Sequence, residues 1–461
     1  MISRIIFLAW IYLCSSVFTS FSQRMPVYKF QEDDTLLKRK YFDAALQKKA
    51  LLLNSLNKEK SKNYKEAYED MFEVVKDLLL STRSVTEEKA DNYIKAVASK
   101  IISSNPELKG LDTRIIFTRD FSPNAYSIGD GTIAFNAGLF IYLNNEAEMA
   151  FVLSHELAHY YLDHSKKRID KFIYLINSDS LKRELKRLSK QEYRIGEQFN
   201  KILKSLTFDI KRHSREGEEE ADRVGVRYLR NSGYHGNGFI TSMKILDKID
   251  DTALFSSLNL QKMLSFSDYP FREKWIKKES AIFSGINPEE EAGLTAKERD
   301  SLKTHPDCTR RISLLESSVM NISGKDFQVD EQLFNQLKKD LIPEIIEEVF
   351  RSGNISLNLY LCLQMLQEEK HVPLAVFSIA RDLNFIYKQQ KEHQLGLIVD
   401  SENRRFNESY NLLLRMIYRL RLSEIADLNT SFCTYYMDQM KNYEGFENEF
   451  QKAKQYKLAH Q

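Results

Sequence analysis

Apolar residues recur at three- and four-residue intervals through most of the chain, and only two short β-branched and aromatic runs break that rhythm. From Thr35 to about Ser104 the spacing of Leu46, Leu53 and Leu56, then of Tyr64, Tyr68, Met71, Val74, Val75 and Leu78, predicts two or three packed helices. Arg114 to Thr118 reads as a strand, and Gly129-Asp130-Gly131 as a turn before a second strand from Thr132 to Phe135. A small hairpin or sheet therefore precedes the helix opened by Asn145-Glu146. In that helix Ala147, Ala150, Phe151, Leu153, Ser154, Leu157, Ala158 and Tyr161 make an apolar face so broad that the helix must be buried.

Residues 166–212 are rich in charge but keep helical spacing, which predicts one or two amphipathic helices serving as a lid or a strut. Another helix runs from about Gly217 through Ala221, Val224, Val226 and Leu229, and Asn231-Ser232-Gly233 supplies its stop. Residues 285–299 are acidic and loop-like, and a short helix is expected from Lys303 to Glu316. From Asp326 to Gln461 the pattern is all-helical, with apolar runs at 357–366, 375–385, 412–417 and 432–440. No 34-residue consensus repeats there, so a helical domain without array symmetry is expected. The fold class predicted is mainly α within α+β: one domain over 23–318, with N-terminal helices at 35–104 and a core at 112–318, then a helical domain over 319–461.

Composition narrows the possible partners. The 461 residues carry 67 basic and 65 acidic side chains, a net charge of +2, which gives no electrostatic footprint for nucleic acid. At the N-terminus Arg4 precedes the apolar run Ile5 to Leu13, and small residues lead to Ser20-Phe21-Ser22-Gln23. This reads as a secretory signal over residues 1–22, removed after Ser22, with an uncleaved membrane anchor as the alternative. No later run is long and apolar enough to span a bilayer, so the remainder is expected to be soluble on the oxidising side of a membrane. Cys308, Cys362 and Cys433 are far apart without paired spacing and are expected to be buried thiols.

The buried helix contains His155-Glu156-Leu157-Ala158-His159. Residues four apart share a helix face, so the two imidazoles can approach one metal ion while Glu156 lies beside a water bound to it. This is the HExxH arrangement of zinc peptidases, and such an ionisable cluster in an apolar helix would be costly without a compensating metal. A catalytic zinc needs a third protein ligand. Ser165 stands where a metzincin would place a histidine, and His164, one position off, reads as a helix-end residue. Glu218-Glu219-Glu220-Ala221-Asp222 supplies carboxylates on the next helix, with Glu218 and Asp222 on one face; by position alone Glu218 ranks level with Glu219. His213 and His235 have no ligand spacing to the motif, and His305, between Thr304 and Pro306, reads by itself as a capping residue.

Taken in order, the HELAH run, Ser214-Arg215 leading to Glu218-x-x-Ala221-Asp222-x-x-Gly225, and His305-Pro306 followed by Arg311-Ile312 resemble peptidase family M48 over roughly Asp112 to Leu315. The resemblance implies a zincin-like catalytic domain binding one zinc ion through His155, His159 and Glu218, with Glu156 activating water. It also implies that Asp222 orients a metal-bound histidine, and that His305 stabilises the transition state or acts as a displaceable fourth ligand, with Arg311 as its support. Asn124-Ala125 and the strand containing Ile133 resemble the family's substrate-binding edge, where an extended peptide could pair through its main chain. Membrane-embedded members carry several spans, whereas the layout here is similar to soluble periplasmic, BepA-like members. The expectation is a zinc metalloendopeptidase acting on protein or peptide substrates outside the cytoplasm, on misfolded or envelope proteins, with the helical C-terminal domain free to take a protein partner. The alternative is a chaperone-like binding factor with a latent or structural zinc site.

Overall fold

The computed structural model describes residues 30–56, 61–188, 215–250, 257–277, 307–403 and 406–460. The expected signal, the later part of the 166–212 stretch, the acidic loop, His213 and His305 lie outside the described residues.

Two compact units emerge. The first holds the described residues of 31–247 and 307–341, and the second holds those of 248–277 and 342–460, so the division falls inside two helices. In the first unit the amphipathic N-terminal region forms three helices, α1 (Thr35–Asn54), α2 (Ser61–Leu80) and α3 (Glu88–Ser104). Four strands follow this pattern: β1 (Ser84–Val85) lies between α2 and α3, and β2 (Arg114–Thr118), β3 (Ala125–Ser127) and β4 (Thr132–Asn136) come after. The sheet order is β1-β2-β4-β3, with β2 and β4 parallel and both outer pairs antiparallel. Every residue of β2 and β4 is buried, which suits their β-branched and aromatic content. Gly131 closes the β3–β4 turn at φ +99°, and a Cβ there would stand 2.1 Å from the Asp112 carbonyl oxygen, so only glycine fits.

The motif helix α5 (Glu146–Tyr161) is capped by Asn145, whose side chain accepts from the Glu148 N–H. All of its residues from Glu146 to Tyr160 are buried. Glu146 is a buried carboxylate that fixes the helix start. It accepts from the Tyr93 hydroxyl at 2.8 Å, the Tyr234 hydroxyl at 2.6 Å, and the Gln328 and Val329 N–H groups at 2.9 Å each. These donors come from three separate parts of the unit, so one side chain ties α3, the segment at Tyr234 and the segment after residue 325 to the motif helix. Glu146→Gln is expected to lower unfolding free energy by about 2 kcal/mol, because its amide nitrogen would face donors. Denaturant unfolding with an unchanged midpoint would contradict this.

After α5 come α6 (His164–Asn177), α7 (Asp179–Leu188), a helix covering 215–231 (α8), α9 (Asn237–Asp250), α10 (Cys308–Val319) and α11 (Glu331–Arg351). The second unit packs α12 (Ile355–Gln367), α13 (Val372–Lys391), α14 (Glu408–Arg419), α15 (Leu422–Met440) and α16 (Phe446–Leu458), the first four of which carry the predicted apolar runs. Its interior includes the pair Asn358–Asp382, and burial pushes the Asp382 carboxyl up to about 8. Residues 257–277 belong to this unit: Arg272 and Lys274 bind Glu424 at 2.9 and 2.6 Å, and Trp275 is buried. Among the described residues Cys308, Cys362 and Cys433 are buried and none forms a disulfide. No helix among the described residues is long and apolar enough to cross a membrane.

Candidate metal centre

The helical repeat puts His155 and His159 on one face of α5, and their Nε2 atoms stand 3.0 Å apart. Helix α8 brings Glu218 against both: Oε2 is 3.3 Å from His155 Nε2, and Oε1 is 3.3 Å from His159 Nε2. Close approach of the helices depends on Gly225, where a Cβ would lie 3.2 Å from the His155 backbone. A tetrahedral zinc, with bonds of about 2.0–2.2 Å to nitrogen and oxygen, separates neighbouring ligand atoms by about 3.3 Å. The three side chains fit that geometry, and they are the one group of this kind among the described residues.

Each imidazole is held from behind. His155 Nδ1 lies 3.0 Å from Asp222 Oδ1, one helical turn after Glu218. Arg311, on α10 and 2% exposed, donates from Nε and Nη2 to the two Asp222 oxygens at 2.6 and 2.7 Å, and its Nη1 lies 3.2 Å from Glu218 Oε2. Arg311 therefore organises the carboxylates of α8. His305, its expected companion, lies outside the described residues. His159 Nδ1 is 2.7 Å from His164 Nδ1, and His164 Nε2 is 3.1 Å from Glu220 Oε2.

Burial and charge oppose each other across this cluster. Burial pulls the His155 imidazole down, but hydrogen bonds and charge from Asp222 and Glu218 prevail and carry it up to about 10. Burial lowers His159. For Glu218 burial acts upward, yet the His159 and Arg311 charges and the two imidazole hydrogen bonds hold the carboxyl well below its usual range. Asp222 is likewise lowered, by Arg311 above all, against the upward pull of burial. Glu156 goes the other way: burial raises it to about 7, against the lowering influence of His155 and the Ser127 N–H. That N–H, from β3, donates to Glu156 Oε2 at 2.8 Å and ties the end strand of the sheet to the motif.

The substrate-edge residues separate. Asn124 accepts from the Ala125 N–H at 2.9 Å and leads into β3, which ends the strand order. Ile133 is fully buried in β4, between β2 and β3. β3 is one end of the strand order and β1 the other, whereas the expected strand at 132–135, within β4, is paired on both sides. His235 accepts from the Asn237 N–H and stays away from the cluster, as its spacing predicts. Sequence reasoning missed Ser127; it read His164 as a helix-end residue, which it is, opening α6, but did not foresee its contact with His159. A residue five positions after His159 would turn about 140° away on a continuous helix. Here α5 ends and Asp163, at φ +54°, swings the chain back so that His164 reaches the ring. A histidine just past a helix end was the available signal.

The model of a family described as Peptidase family M48 matches residues 88–319, which hold α5, α8 and α10. A putative beta-barrel assembly-enhancing protease from Vibrio cholerae is 26% identical over 153 residues, 32% of this chain and 31% of that protein. The beta-barrel assembly-enhancing protease of Escherichia coli K12 is 23% identical over 186 residues, 40% of this chain and 37% of that protein. The matched stretches thus cover about a third of each relative's length.

Proposed function

Because the chain belongs to peptidase family M48, we propose that it is a zinc-dependent metalloendopeptidase whose metal is held by His155, His159 and Glu218. The observation that carries this reading is the convergence of the three ligand atoms beside Glu156, a buried carboxyl raised to about 7. Zinc bound there would supply a Lewis acid and a water of lowered pKa. Glu156 takes a proton from the attacking water on its carboxylate and returns it to the leaving amine. The Ser127 N–H keeps one Glu156 oxygen fixed while the other carries the proton. Asp222 and Arg311 hold His155 in the tautomer that leaves Nε2 free to bind. An extended substrate runs along β3, where Asn124 and Ala125 meet its main chain and Ile133 supports the strand from within the sheet.

The names of the relatives support envelope proteins as substrates, in particular β-barrel proteins during assembly. The signal-like N-terminus supports export to the periplasm. The helical second unit suits a protein partner.

Metal removal tests this reading. A chelator is expected to abolish cleavage of a denatured protein, and one equivalent of zinc per chain to restore it; cleavage that survives complete zinc removal would refute it. Metal ligands must be unprotonated, and His155, raised to about 10, holds its proton at neutral pH when no metal is bound. Zinc uptake at about pH 8 is therefore expected to release the His155 proton in addition to any from the bound water, with the His155 share fading as pH rises through about 10. Calorimetry in buffers of different ionisation enthalpy measures it.

A further inference from the structure

We propose that His164 is a positioning residue for His159, and that Glu220 sets the tautomer of both rings. This rests on His155, His159 and Glu218 holding the metal. His159 presents Nε2 to the other two ligands, so once that lone pair is engaged its ring proton sits on Nδ1. The atom facing this Nδ1, at 2.7 Å, is His164 Nδ1, which must accept. His164 then carries its proton on Nε2, facing Glu220 Oε2 at 3.1 Å. A single neutral arrangement of protons satisfies all three contacts.

The burial gradient supports the same direction. His164 is 6% exposed, whereas the Glu220 side chain is 47% exposed, so the relay runs from the metal ligand to the protein surface. The two ligand histidines are therefore held differently. His155 has a buried carboxylate clamped by Arg311, while His159 has a neutral ring whose orientation is set one step further out. Without an acceptor at Nδ1, His159 could turn its ring or exchange tautomers, and Nε2 would lose its aim at the metal.

The test is zinc affinity of the full chain, measured by competition with a chelator, together with the absorption spectrum of the cobalt(II) form. His164→Leu is expected to weaken zinc about 10- to 100-fold and alter the cobalt spectrum. His164→Asn, whose Oδ1 takes the place of Nδ1 as acceptor, is expected to restore most of the affinity. Glu220→Ala should lie between wild type and His164→Leu. If His164→Leu does not fold, His164→Gln replaces it, since its carbonyl lies beyond the Nδ1 position, and the same contrast with Asn is expected. Equal zinc affinity and identical cobalt spectra in the Leu or Gln and Asn variants would overturn the proposal and leave the metal site standing. Zinc uptake that persists unchanged in His155→Ala and Glu218→Ala would instead overturn the metal site.

Discussion

Glu156→Gln is expected to lower peptide-bond cleavage by about 100- to 10,000-fold while zinc content and fold are retained. The substitution keeps the size of the side chain and an oxygen for the Ser127 N–H, but an amide cannot take a proton from water. None of the three proposed ligands is touched. The measurement is cleavage of a denatured protein by metal-loaded enzyme, with zinc content and circular dichroism as controls. Undiminished cleavage would remove Glu156 from the mechanism. A related pH dependence follows: the base works ionised, so activity should fall as pH drops through its pKa. Burial sets that value at about 7 without metal, and a neighbouring cation favours the ionised form, so the acid limb belongs at or below about 7.

The second large effect is on stability. Arg311→Leu strips the counter-charge from Asp222, which is fully buried, and from Glu218 beside it. Removing one partner of such a buried pair costs about 3–5 kcal/mol, because the remaining charge stays desolvated. The loss should be larger in the metal-free protein than in the zinc-loaded one, where a bound cation replaces part of the missing charge. Denaturant unfolding of both forms measures the difference. A metal-free variant within about 1 kcal/mol of wild type would show that Asp222 and Glu218 are neutralised in another way.

Long amphipathic elements were legible because one pattern determines them. The region 35–104 gives three helices, and the apolar run at 357–366 lies inside α12. β1 and β3 were not, since strands of two and three residues carry no periodicity and are fixed by the neighbours they pair with. The HELAH run was legible because both imidazoles lie on one helix. Glu218 stood out from Glu219 only through the family resemblance, because the choice depends on how α8 is rotated against α5 at Gly225. Arg311 was read as a companion of His305, which lies outside the described residues; its hold on Asp222 was not legible, since that is a contact across 89 positions of sequence. His164 depended on a single residue of left-handed backbone at Asp163, which the spacing of histidines cannot express.

The position of that arginine has a consequence for biosynthesis. A chain that emerges N-terminus first presents His155, His159, Glu218 and Asp222 well before Arg311. During that interval the two α8 carboxylates lack the guanidinium that later joins them. The centre therefore reaches its final electrostatic balance only after the second unit's residues 257–277 have also been made. A nascent or truncated chain ending before residue 311 would carry the whole HELAH motif together with Glu218 and Asp222, and still lack the guanidinium that joins the two carboxylates.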